Sequence, residues 1–90
     1  MQIEKVLGSK VRLKILKILL QIGELNVSEI ARRIGANHKT TVAHLEILEN
    51  EGILQHKTFG RIRIYRFNES SERAKALKNF IEEWENVERH

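Results

Sequence analysis

The stretch Asn37–Gly52, NHKTTVAHLEILENEG, decides how the rest of the chain is read. Thr41, Leu45 and Leu48 recur at helical spacing, which places them on one face. Asn37 stands where an N-cap is needed, because its side-chain oxygen can accept from an unpaired amide of the first turn. Gly52 closes the run as a residue that takes a left-handed backbone at no steric cost. His38, Lys39, Thr40, Val42, Ala43 and Glu46 fall away from the apolar face. Alone, this pattern suits a plain solvated helix as well as one whose first turn meets a polar partner.

The preceding segment shifts the balance. Asn26–Ile34, NVSEIARRI, reads as a helix, with Asn26 and Glu29 spaced as in a capping box. Val27, Ile30, Ala31 and Ile34 supply its apolar face, and Gly35-Ala36 turns tightly into Asn37. A short helix, a turn of about three residues and a helix with a polar start match the spacing of a helix-turn-helix. Further back, Ser9–Gln21 reads as a helix with Ser9 as N-cap and Gly23 as its end. Its stripe is Val11, Ile15, Ile18, Leu19 and Ile22, widened by Leu16 and Leu20, while Lys10, Arg12, Lys14 and Lys17 are expected to solvate the outer face. Glu24-Leu25 is a short extended link that could form one rung of a sheet.

Beyond Gly52 the period changes to two. Ile53–Phe59 and Ile62–Phe67 are rich in β-branched and aromatic residues, and Gly60-Arg61 suits a two-residue hairpin turn with Gly first. That register pairs Phe59 with Ile62 and Leu54 with Phe67, and it turns Leu54, Tyr65 and Phe67 toward the helices. Arg61 is then free at the tip, with Lys57, Arg63 and Arg66 along the strands. Such a basic wing can reach a phosphate or a minor groove, or its arginines can merely blunt exposed strand edges. Phe59 and Ile62, so near the tip, either pack on each other or meet a partner.

Asn68–Arg89 reads as a long final helix capped by Asn68 or Ser70. Ala74, Leu77, Phe80, Ile81, Trp84 and Val87 form its apolar stripe, with Glu82, Glu83, Glu85 and Glu88 on the opposite side. Leu77, Phe80, Ile81, Trp84 and Val87 are expected to meet a second copy of the chain. The alternative is that the helix folds back over its own domain.

Composition bounds the function. Ninety residues allow one modest core without a deep catalytic cavity. The net charge of +4 is unevenly held: residues 1–68 carry +6 and residues 69–90 carry −2. Basic charge gathered beside the helix-turn-helix suggests a polyanion. No apolar run approaches a membrane span, and charged residues interrupt the N-terminal apolar segment, so no signal peptide is expected. The chain has no cysteine, so it has neither disulfides nor thiolate ligands, which fits a cytoplasmic setting. His38, His44, His56 and His90 lack the i, i+4 ligand spacing, so no metal or other cofactor is expected. With no nucleophile–base constellation and no phosphate loop, an enzyme is not expected either.

The segments LGSKVRLKILKIL, NVSEIARRIG and NHKTTVAHLEILENEGIL together resemble the archaeal winged-helix transcriptional regulators related to the ArsR and MarR groups, over roughly residues 7–67. The resemblance implies an α+β, mostly α fold: a winged helix-turn-helix of three helices and a β-hairpin wing in residues 1–68, then a dimerisation helix in residues 69–90. It implies a homodimer on double-stranded DNA, with Asn37, His38, Lys39, Thr40, Val42 and Ala43 at the major groove and Lys57, Arg61 and Arg63 on the backbone. Where the family runs polar after Thr-Val, this chain has Val42 and Ala43, side chains suited to thymine methyl groups. Metal sensors of the ArsR group use cysteine thiolates, and none exist here. A different reading keeps the fold but makes the winged helix a protein-interaction module within a multisubunit complex.

Overall fold

The computed structural model describes residues 2–89, so His90 lies outside the described residues. Five helices and three strands follow in the order α1 (Ile3–Leu7), α2 (Lys10–Ile22), β1 (Glu24–Asn26), α3 (Val27–Ile34), α4 (His38–Asn50), β2 (Leu54–Phe59), β3 (Ile62–Phe67) and α5 (Glu72–Arg89). The helix-turn-helix is α3 and α4, and the wing is the β2–β3 hairpin. Helix α1 was not foreseen. Five residues are too few to show a period, and α1 is held by burial of Val6.

The caps show why the helices start where they do. Ser9 Oγ accepts from the Arg12 amide at 3.2 Å, and Asn26 Oδ1 from the Glu29 amide at 2.8 Å. Only half of the expected capping box forms at α3. The Glu29 carboxylate accepts from Arg32 Nε and Nη2, both at 2.9 Å, because a guanidinium at i+3 outcompetes a neutral amide. Those bonds from Arg32 hold the exposed Glu29 carboxyl down at about 2. Helix α5 is capped by Ser71, whose Oγ accepts from the Ala74 amide at 3.2 Å, in place of Asn68 or Ser70. Asn68 Oδ1 instead holds Ser70, through its amide at 3.2 Å and its hydroxyl at 2.8 Å.

The sheet has the order β1-β3-β2, antiparallel throughout. Leu54 pairs with Phe67 and Phe59 with Ile62, as the hairpin pattern requires. Gly60 has φ 62° while Arg61 has no positive φ, the combination of a type II′ turn. The extended link at Glu24-Leu25 becomes a true strand, with Leu25 opposite Tyr65.

One core joins all layers: Ile15, Leu16 and Leu19 of α2, Ile30 of α3, Leu45 and Leu48 of α4, Leu54, Tyr65 and Phe67 of the wing, and Ala74, Leu77 and Ile81 of α5. Ile22, expected on the buried stripe of α2, is 46% exposed, because α2 ends there and the chain turns away at Gly23. The stripe of α5 divides. Ala74, Leu77 and Ile81 pack inward, whereas Phe80, Trp84 and Val87 are 50%, 59% and 71% exposed. Burying Leu77 and Ile81 is worth about 1.5–3 kcal/mol each. The partly exposed Lys17–Glu85 pair, at 3.0 Å, adds at most about 1 kcal/mol. Apolar burial therefore seats α5 against the body, and Lys17 serves that contact instead of merely solvating α2.

Candidate nucleic-acid interface

Helix α4 is presented by the turn before it. Gly35 sits at φ 72°, and the amides of Gly35 and Ala36 bond back to Arg32 and Ala31 at 3.4 and 3.1 Å, a Schellman ending for α3. Asn37 then caps α4, its Oδ1 accepting from the Thr40 amide at 2.8 Å. Thr41 is fully buried and its hydroxyl donates to the Asn37 carbonyl at 2.8 Å, so the inner face carries no unmet polar group. A second Schellman ending closes α4, with Gly52 and Ile53 amides on Glu49 and Leu48 at 2.9 and 3.0 Å.

Packing Thr41, Leu45 and Leu48 inward turns Lys39, Ala43, Glu46 and Asn50 to solvent as one line. Asn37 and His38 are exposed at its start, and Thr40 is half-buried beside it. Val42 is half-buried and packs against the core, so it stands at the shoulder of this face, not at its centre. Glu46 also lies on the line, as its spacing from the apolar face requires, although it was not among the expected DNA contacts.

Three contacts hold α4 in place. Arg12 Nε of α2 donates to His44 Nδ1 at 3.2 Å, and Arg12 Nη1 to the Lys5 carbonyl of α1 at 3.0 Å. Burial, then the Arg12 charge, push the His44 imidazole below its ordinary pKa. His56 Nδ1 of β2 meets both Glu49 oxygens, at 2.8 and 2.7 Å, with its ring 5.1 Å from that of Tyr65. Arg63 Nη1 of β3 donates to the buried Tyr65 hydroxyl at 3.1 Å and lies 3.6 Å from a Glu46 oxygen. Burial raises the Tyr65 pKa. His44 and His56 thus serve as ordinary polar struts. Among the described residues no group of three or more His, Asp or Glu side chains could hold a metal ion.

The wing brings further cations forward. Lys57 and Arg61 are exposed and make no side-chain bond among the described residues. A cleft of about 230 Å³ is lined by His38, by Arg61, Ile62 and Arg63, and by Asn26, Val27 and Ser28 at the start of α3. Arg61 and Arg63 make this cleft cationic, which suits an oxyanion. Phe59 and Ile62 are cross-strand neighbours, both exposed. Elsewhere on the surface, Ile3 of α1 and Phe80, Trp84 and Val87 of α5 are exposed large apolar side chains.

A braced helix-turn-helix followed by an antiparallel hairpin and a long helix defines a winged helix-turn-helix protein. The sequence model described as "Bacterial regulatory protein, arsR family" matches residues 9–56, more than half of the chain, and the chain belongs to that family of regulators. The chain is similar to the winged helix-turn-helix DNA-binding domain of Mb0332 from Mycobacterium bovis, described as homodimeric and possibly an ArsR-family regulator. The identity is 32%, covering 96% of this chain and 79% of that one, with a TM-score of 0.74. It is also similar to the transcriptional repressor BigR from Xylella fastidiosa, at 28% identity over 86% of this chain and 76% of that one, TM-score 0.71. HlyU from Vibrio cholerae, 24% identical over 91% of this chain and 83% of that one, shares the fold with a TM-score of 0.77. These relatives are bacterial, so they lend no support to a specifically archaeal origin. No curated protein sequence matches the chain.

Proposed function

We propose that this protein is a homodimeric regulator that reads double-stranded DNA, with α4 in the major groove and the wing on the adjacent backbone. The observation that carries this reading is the outward line of α4. Lys39 and Ala43 are exposed and turned from the core, Arg61 lines a cleft with His38 at the start of α4, and Arg61 and Lys57 have no side-chain partner among the described residues. Asn37, His38, Lys39 and Thr40 would meet phosphate or base edges, and Ala43, with Val42 at the shoulder, would meet thymine methyls. The cleft between His38, Arg61 and the start of α3 would take a backbone phosphate.

Phe80, Trp84 and Val87 would join two copies, because an exposed Trp and Phe on one helix face are unfavourable in water. The homodimeric description of the M. bovis relative supports this assembly. Two copies of α4 would then enter successive major grooves about 34 Å apart.

Gel retardation with mixed genomic duplex tests the reading. Binding is expected at low salt and is expected to fall steeply as salt rises. No retardation at low salt would refute it and favour the protein-interaction module, for which the exposed Phe59–Ile62 pair is the available contact.

A further inference from the structure

Glu46 is an acid on the face turned toward DNA in the proposed function, on which this inference rests. It lies on the outward line of α4 with Lys39 and Ala43, and its side chain is 55% exposed. Repulsion from phosphates makes a carboxylate there a cost for binding any duplex. Its surroundings are nevertheless built. Arg63 reaches across from β3 to within 3.6 Å of Glu46 Oε2, and the same Nη1 donates to the Tyr65 hydroxyl at 3.1 Å. Tyr65 is fully buried, so the guanidinium is fixed from behind and steers one edge of the carboxylate. The exposed remainder of that carboxylate can only accept. In the major groove cytosine offers N4 as a donor, whereas adenine sets the acceptor N7 beside its amine and guanine offers acceptors only.

We infer that Glu46 determines specificity by accepting from the exocyclic amine of a cytosine in each half-site, and that Arg63 is its positioning residue. Arg63 then faces the protein, which leaves the backbone contacts of the wing to Lys57 and Arg61.

The test is selection of bound duplexes from a random pool by the full chain, with competition binding at the selected position. Wild type should prefer cytosine at one position per half-site by about tenfold. Glu46→Gln should switch that position to adenine, since a carboxamide accepts from N6 and donates to N7. Glu46→Ala should lose the preference to within about twofold and bind random duplex more tightly, as expected when a repelling charge is removed. Arg63→Met should keep cytosine with a reduced ratio. Unchanged pools for both Glu46 variants would overturn the inference, and so would a change of base under Arg63→Met, which would make Arg63 the reader. Failure of wild type to bind duplex at low salt is a separate outcome, and it would refute the DNA-binding reading itself.

Discussion

Arg12 and His44, thirty-two residues apart, share a hydrogen bond of 3.2 Å that fastens α4 to α2. Because Arg12 also holds the Lys5 carbonyl, the pose of α4 is tied to α1 as well. The bond requires a bare Nδ1 lone pair, so it exists only while His44 is neutral.

That requirement sets a pH dependence. In the unfolded chain His44 takes up a proton near its ordinary pKa of 6.5, whereas in the fold burial and Arg12 move protonation to lower pH. The unfolded state therefore binds more protons in this window, and stability falls as pH drops below about 6.5. His44→Gln keeps an acceptor for Arg12 and does not titrate. Urea melts from pH 8 to pH 5 should show wild type losing stability relative to the variant, and parallel curves would count against the neutral-imidazole strut.

The wing tip should act on affinity alone. Arg61 is exposed and unpartnered among the described residues, so Arg61→Ala should change stability by less than about 0.5 kcal/mol. The same variant should weaken binding to all duplexes alike and reduce the slope of log K against log salt by about 1. Fluorescence anisotropy at several salt concentrations measures both.

The two halves of the α5 stripe should respond differently to the same change. Trp84 is 59% exposed, so Trp84→Glu should leave the fold intact and yield a monomer in light scattering. Leu77 is 8% exposed, so Leu77→Glu buries an unpaired charge and should unfold the protein, seen as a lost cooperative melt. A folded dimer of Trp84→Glu would refute the dimer face.

The cap of α4 separates stability from binding. Asn37→Ala removes the bond to the Thr40 amide and should cost about 0.5–2 kcal/mol. Asn37→Asp keeps that bond, so its melting temperature should stay near wild type. It adds a negative charge to the proposed DNA face, and its affinity for duplex should fall. Thermal melts and anisotropy on the two variants read these effects apart.

Much of the fold was legible in sequence because it rests on local rules. Three-four spacing marked α2, α3 and α4, the side chains of Ser9, Asn26 and Asn37 marked their starts, and Gly60 set the hairpin register that pairs Phe59 with Ile62. The exposed start of α4 was legible for the same reason, since a stripe of Thr41, Leu45 and Leu48 leaves Lys39 no direction but outward. Each of these signals acts within about one helical turn or one hairpin.

Contacts between distant segments had no such signal. Periodicity showed that α5 was apolar on one side, but only its packing against the core decided that Leu77 and Ile81 go inward while Phe80 and Trp84 stay out. The partners of Arg12, His56 and Arg63 likewise depend on how α2, the wing and α4 converge. A hydrogen bond or ion pair needs its groups within a few ångströms, and only tertiary packing brings residues so far apart in the chain to that distance. Local propensity settled that α2, α3, α4 and the hairpin form and where they begin, while α1 and the start of α5 at Ser71 carried too weak a local signal. The assembly of these elements settled which polar side chains brace α4 and which remain free for a partner.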